Sequence, residues 1–182
     1  MTQLSSFSSE DVELIVSLPY RVGMHVSFSE DEDGEQDDIR ELAALESCIK
    51  EISKIHEGVS FTKEVANEVL KSKDKWASWS QGVFNIEPQC EKAIIALKAE
   101  ASNDEVKDYI KMVLEIASSV AQAYGEFGEE QEPEKGFFGK ALSKIVGEIS
   151  GLSDDDANHP MNVSAAEDSA ISAIAAALRK NT

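Results

Sequence analysis

The feature that most constrains the fold is a helical spacing of apolar residues that recurs along most of the chain. Apolar side chains return every three or four residues, as on one face of an α-helix, whereas the alternating pattern of strands hardly appears. The sequence therefore predicts an all-α bundle of about seven helices joined by short loops. The clearest stripe consists of Val106, Ile110, Val113, Leu114, Ala117, Val120 and Ala121.

Local signals indicate where several helices begin and where one is interrupted. Ser8, then Ser60 or Thr62, and then Ser102 or Asn103 precede helical patterns, where the side-chain oxygen of such a residue can cap the first turn. Pro19 falls inside the first pattern, so we expect a kink or a break there. Further predicted starts are Asp37, Pro88, Pro133 and Ser164. Other predicted core residues are Ile39, Leu42, Leu45, Ile49, Ile52, Ile94, Ile95, Leu97, Ile171, Ile174 and Leu178.

The length and composition predict one domain over residues 1–182. With 42% hydrophobic residues, a chain of this size buries a core without disulfides or structural metals. Cys48 and Cys90 fall in apolar helical patterns and lack the spacing of a zinc site. There is no signal-peptide pattern and no stretch of about 20 apolar residues that would cross a bilayer. We therefore expect a soluble, cytoplasmic protein without a membrane span.

The net charge of −18, from 35 acidic and 17 basic residues, is the unusual bulk property of the chain. Such a charge repels nucleic-acid phosphates and anionic membranes, and it attracts cations and basic proteins. Seven of the nine residues from Glu30 to Asp38 are acidic, and a second acidic segment follows Gly125. The alternative interpretation is an acidic surface that serves solubility alone.

The two acidic segments are the sharpest candidates for a binding site. Clustered carboxylates repel one another until a hard divalent cation such as calcium or magnesium joins them. The first segment fails the EF-hand pattern, because Arg40 stands where the bidentate glutamate is required. A nonstandard metal site is one hypothesis, and two solvated loops are the alternative. The candidate ligands are Asp31, Asp33, Glu35, Asp37, Glu126, Glu129 and Glu130.

No pattern typical of a catalytic centre is found in the sequence. The three histidines do not converge, and the motifs of serine hydrolases, phosphate-binding loops and zinc proteases are absent. We therefore predict a non-enzymatic protein. A metal-dependent hydrolase that uses the acidic loops is an alternative, and only that alternative predicts turnover.

Two features suggest contacts with a partner protein. Trp76 and Trp79 lie three residues apart on a predicted short helix, near Phe84. Together with Phe84 they are candidates for an exposed partner-binding anchor, with core packing as the alternative. The last predicted helix is rich in alanine, so it can pack closely on the bundle or on a second copy in a homodimer.

Two regions share one plan of an apolar helix, an acidic loop and a second amphipathic helix. Residues 14–57 contain GMHVSF, SEDEDGEQDD and IRELAALESCIKEI, and residues 110–152 contain SSVAQAY, GEFGEEQEPE and KGFFGKALSKIVGEI. Each unit is long enough to form one helical hairpin. The plan resembles the TerB tellurite-resistance family, whose Asp-Gly pair is matched here by Asp33-Gly34.

The resemblance to the TerB family implies a pseudo-two-fold helical bundle with an acidic face. It implies a non-enzymatic domain that binds a divalent cation or a basic partner, within a stress or tellurite-resistance system. The alternative is an all-α adaptor or assembly protein with no metal site, whose apolar helix faces bind the partner.

Overall fold

A computed structural model describes residues 2–29, 35–55, 60–126 and 165–180 of the chain. This part contains seven α-helices and no strand, so the predicted all-α class is confirmed. The predicted helix from Pro133 to Gly151 lies outside the described residues, as does most of the second repeat loop. The helices are α1 (Ser9–Ser27), α2 (Glu35–Ile55), α3 (Phe61–Lys71), α4 (Trp76–Trp79), α5 (Glu87–Glu100), α6 (Asn103–Glu126) and α7 (Ala165–Arg179).

Serine caps begin three of these helices, as predicted. The hydroxyls of Ser8 and Ser60 each accept the backbone N–H three residues further on, at 3.2 Å. Ser102 accepts the backbone N–H of Glu105 at 3.3 Å, and the Glu105 carboxylate accepts the backbone N–H of Ser102 at 2.9 Å. These contacts satisfy N–H groups that the first turn of a helix leaves without an intrahelical partner.

Helix α6 is the central element of the bundle. It packs against α1, α2, α3, α5 and α7. Its predicted apolar stripe is buried from Val106 to Ala121. Residues outside the stripe are buried as well, because neighbouring helices lie on several sides of α6. They are Tyr109, Met112, Glu115, Ile116, Ser118 and Ser119.

Helix α1 continues through Pro19, where the sequence predicted a kink or a break; the break does not occur. A proline has no N–H to donate to the carbonyl four residues earlier, which here belongs to Ile15. The buried Tyr109 hydroxyl of α6 donates to that carbonyl at 2.7 Å. A tertiary contact therefore replaces the hydrogen bond that the helix itself cannot make.

Gly23 allows α1 and α2 to approach each other closely. A Cβ atom at this position would overlap the side chain of Leu45 on α2. Both residues are buried, so little space is available to relieve the overlap. The α1–α2 contact therefore depends on the absence of a side chain at position 23.

Two apolar residues predicted for the core are exposed instead. Ile95 on α5 is 59% exposed, whereas Ile94 and Leu97 are buried. Adjacent helical residues point about 100° apart, and the buried face follows Ile94 and Leu97 rather than Ile95. Leu42 on α2 is also exposed, one turn before Leu45 meets α1.

Candidate functional site

The first level of contact between α1 and α6 lies near the beginnings of both helices. Tyr109 of α6 donates its hydroxyl to the Ile15 carbonyl of α1 at 2.7 Å. The residues just before α1 also lie beside the start of α6, because the backbone N–H of Thr2 donates to the Glu105 carboxylate at 2.7 Å. The early residues of both helices are therefore neighbours.

The second level of contact lies further along both helices, where α2 meets each of them. Leu45 of α2 lies against Gly23 of α1, and Cys48, one turn later in α2, is hydrogen-bonded to Ser119 of α6. In α1 the chain runs from Ile15 to Gly23, and in α6 it runs from Tyr109 to Ser119. Both segments begin at the Tyr109–Ile15 contact and end beside the same turn of α2. The two helices run in the same direction, and their C-termini lie at one end of the bundle.

In the sequence, an acidic segment follows the C-terminal end of each of these two helices. Residues 30–41, after α1, contain eight acidic residues and one basic residue, and residues 126–134, at the end of α6, contain five acidic and no basic residues. Each helix C-terminus also carries a partial negative charge, equivalent to about half an elementary charge. We call this end of the bundle, with the two segments that follow in the sequence, the acidic end. Its charge favours cations.

The structure describes only part of the predicted metal site. Glu35 and Asp37 lie in the first turn of α2 and Glu126 is the last residue of α6; their helical backbone is what the structure describes. Within the described ranges, no group of three or more His, Cys, Asp or Glu side chains is placed to hold a metal ion. The metal site therefore stays a hypothesis. The candidates outside the described residues are Asp31, Asp33, Glu129 and Glu130.

Trp76 and Trp79 belong to the core and do not form the exposed anchor that one interpretation of the sequence suggested. Their exposed fractions are 6% and 5%, and the ring of Tyr20 stacks on Trp76 with centroids 4.7 Å apart. The Trp76 indole N–H donates to the Val69 carbonyl at 3.1 Å. The Trp79 indole N–H donates to the Glu13 carboxylate at 2.7 Å. The two indoles attach α4 to α1 and α3.

An exposed aromatic pair, Phe28 and Phe84, lies at the acidic end. Phe28 follows the last residue of α1, and Phe84 lies in a short 3-10 turn, Val83–Asn85. Their rings stack with centroids 6.1 Å apart and an angle of 27° between the planes. Their exposed fractions are 37% and 76%. The pairing could not be predicted, because the two residues are distant in the sequence and neither belongs to a motif.

Polar contacts hold the turn that carries Phe84 against α1. The Arg21 guanidinium donates to the Gln81 carbonyl at 3.0 Å, and the His25 Nδ1 atom lies 2.9 Å from the Val83 carbonyl oxygen. Gly82 between them has a φ of +73°, a left-handed conformation that glycine adopts without strain. Since these contacts follow one face of α1, they bring Phe84 next to Phe28.

The cysteines are poorly suited to act as nucleophiles. Burial raises the pKa of the Cys48 thiol to about 12, against the opposing effect of its hydrogen bond to Ser119. Burial and the nearby Glu87 carboxylate raise the pKa of Cys90 to about 12 as well. The thiolate is the reactive form, so both groups are unreactive at neutral pH.

Glu115 is a buried acid that the sequence did not single out. It lies on α6 beside the apolar stripe, and burial raises the pKa of its carboxyl group. The Lys111 ammonium nitrogen, 3.9 Å from a carboxylate oxygen, acts in the opposite direction. Nothing in the local sequence distinguishes this residue from the exposed acids of the same helix, because its burial results from the neighbouring helices.

The described structure belongs to the class of all-α helical bundles. Comparisons of the chain with protein-family models, curated proteins and solved structures found no match. Along the described parts of the chain, no helix is both long enough and apolar enough to cross a membrane.

Proposed function

We propose that this chain is a non-enzymatic binding module whose acidic end binds a cationic ligand, either a divalent cation or a basic partner protein. The observation that carries the proposal is the common direction of α1 and α6, established by the Tyr109–Ile15 and Cys48–Ser119 contacts. Because both C-termini lie at one end, the two most acidic segments of the sequence leave the bundle near each other. A cation there would be attracted by both segments and by both helix termini.

The residues that would hold a metal ion are those named from the sequence in the two acidic segments: Asp31, Asp33, Glu35, Asp37, Glu126, Glu129 and Glu130. Hard cations such as calcium and magnesium prefer several carboxylate oxygens, which these segments contain in excess. A role in stress or tellurite resistance is implied by the resemblance to the TerB family alone and stays a prediction.

The alternative function is an all-α adaptor or assembly protein with no metal site. One observation favours it: the Phe28–Phe84 pair is exposed. The adaptor hypothesis predicts binding to a protein partner and no specific response to metals.

Thermal unfolding of the full chain distinguishes the two hypotheses. The melting temperature is measured with EDTA and then with millimolar calcium, magnesium or manganese at matched ionic strength. A cation that binds only the folded state adds about 2.7 kcal/mol at about a hundredfold excess over its Kd, a rise of several degrees. We expect this rise for one cation, and its loss in the double variant Asp31→Asn with Asp33→Asn.

The matched control removes two carboxylates from elsewhere on the surface, with Glu100→Gln and Asp108→Asn. Both residues are exposed, and they lie near the start of α6 rather than at its end. The control variant should keep the specific rise. An equal small rise with all three salts in every variant would indicate charge screening, and the metal hypothesis would then be abandoned in favour of the adaptor hypothesis.

A further inference from the structure

The Phe28–Phe84 pair has the properties of a docking surface rather than of an isolated exposed residue. Two stacked rings lie side by side, and the larger exposed fraction, 76%, belongs to Phe84. The Arg21–Gln81 and His25–Val83 contacts hold the turn that carries Phe84 against α1. An exposed pair that is fixed in this way presents its rings to a ligand at little cost in conformational entropy.

The net charge of the protein favours one class of ligand for the pair. Phe28 lies two residues before Glu30, the first acid of the segment over residues 30–41. A second copy of the chain would bring two such segments together, each in a protein of net charge −18, and would be repelled. An anionic membrane would be repelled for the same reason. A basic polypeptide is attracted.

Aromatic rings themselves favour one basic side chain over the other. The face of a phenylalanine ring carries partial negative charge and attracts cations. The planar guanidinium group of arginine stacks on such rings and is less strongly hydrated than the lysine ammonium. Arginine therefore gains from the ring and from the net negative charge of the protein, whereas lysine gains mainly from the net charge.

We propose that Phe28 and Phe84 dock an arginine-bearing basic segment of a partner protein. This inference rests on the proposed function and names the partner class for the acidic end. A guanidinium group stacks on the exposed Phe84 ring, and further basic residues of the partner are attracted by the net negative charge.

The test is a fluorescence anisotropy titration with a labelled peptide of arginine and glycine and its lysine counterpart of equal charge. The full chain should bind the arginine peptide more tightly. Phe84→Ala should weaken that binding about fivefold, to the level of the lysine peptide, because one exposed cation–π contact is lost. The control Ile95→Ala removes another exposed apolar side chain, on α5, and should leave both affinities unchanged.

Two further variants separate this inference from the proposed function. Asp31→Asn with Asp33→Asn should weaken the binding of both peptides equally, since only charge is removed. Phe28→Ala should have the same effect as Phe84→Ala.

If the Phe84→Ala and Phe28→Ala variants bind both peptides like the parent chain while the double variant binds both more weakly, the docking surface is wrong and the proposed function stands. If neither peptide binds the parent chain and no cation stabilises it, both proposals fail. A dimer in sedimentation velocity that Phe84→Ala abolishes would assign the pair to a second copy and overturn the inference.

Discussion

At the scale of single residues, Tyr109 and Glu105 show how α6 is attached to the N-terminal part of the chain. Tyr109 donates its hydroxyl to the carbonyl that Pro19 leaves without a helical donor. The Glu105 carboxylate accepts the backbone N–H of Ser102, which caps the start of α6, and the backbone N–H of Thr2, which precedes α1. Each residue therefore combines a local requirement with a long-range contact, and each can be tested separately.

Tyr109→Phe should destabilise the protein by about 1–3 kcal/mol, because the buried Ile15 carbonyl would lose its hydrogen bond. Pro19→Ala restores a backbone N–H that can donate to the same carbonyl within α1. The cost of Tyr109→Phe should therefore be smaller in the Pro19→Ala background, by about 1 kcal/mol. Urea unfolding of the parent chain, the two single variants and the double variant measures this coupling. Equal costs of Tyr109→Phe in both backgrounds would show that the loss of the hydrogen bond to the Ile15 carbonyl does not cause the destabilisation.

Glu105 makes stability depend on pH in the acid range. The backbone N–H groups of Thr2 and Ser102 lower the pKa of its carboxyl group from 4.5 to about 2 in the folded protein. A lowered pKa means that the stabilisation is complete above about pH 4.5 and is lost as the pH falls towards 2. Glu105→Gln should therefore cost about 1 kcal/mol near neutral pH, a value reduced by solvent screening.

The difference in unfolding free energy between the parent chain and Glu105→Gln should shrink as the pH falls towards 2, since both side chains are then uncharged. Chemical unfolding across this pH range measures it. The control Glu100→Gln changes an exposed carboxylate close in sequence and should give a small difference throughout. A Glu105→Gln cost that does not vary with pH would contradict the assignment.

At the scale of elements, the bundle is organised by close helix contacts around α6. Helices α1, α2, α3, α5 and α7 all pack on it, which explains why its polar residues Ser118 and Ser119 are buried. The α1–α2 pair adds a second kind of contact: Gly23 has no side chain, and the Leu45 side chain occupies the space that a Cβ atom would need. The position of α2 matters for the proposed site, because the acidic segment over residues 30–41 begins after α1 and includes the first residues of α2.

Gly23→Ala should destabilise the protein, although alanine favours a helix by about 1 kcal/mol over glycine. The added methyl group would overlap the buried Leu45 side chain, and overpacking of this kind costs about 1–3 kcal/mol. Thermal unfolding checks the sign of the change. A higher melting temperature than that of the parent chain would show that α1 and α2 are further apart than described.

At the scale of the whole molecule, the negative charge is distributed unevenly. Within the described helices, several partly exposed acids lie beside lysines, as in the Lys50–Glu46, Lys54–Glu51 and Lys71–Glu68 pairs. Such surface pairs each contribute little stability, but they balance the charge locally. The segments over residues 30–41 and 126–134 contain far more acids than bases. Because α1 and α6 run in the same direction, both segments are attached to the same end of the described bundle.

The sequence by itself determined the helical class, the serine cap at Ser8, the two positions between which each of the caps at Ser60 and Ser102 lies, and the buried stripe of α6. These features depend on residues three or four positions apart, whose relation within a helix is the same in any protein. The two acidic segments were likewise visible in the sequence, because they are runs of adjacent residues.

Only the tertiary structure decided that α1 continues through Pro19, that Ile95 is exposed, that Trp76 and Trp79 are buried, and that Phe28 meets Phe84. The hydroxyl that completes α1 comes from Tyr109, 94 residues away from its acceptor. The exposure of a residue on a helix depends on which other helices cover it, and local periodicity gives no information about that choice. Each of these features depends on a contact, or on the lack of one, between segments that are distant in the sequence. Such contacts are determined by how the helices pack and not by the spacing of residues within one helix.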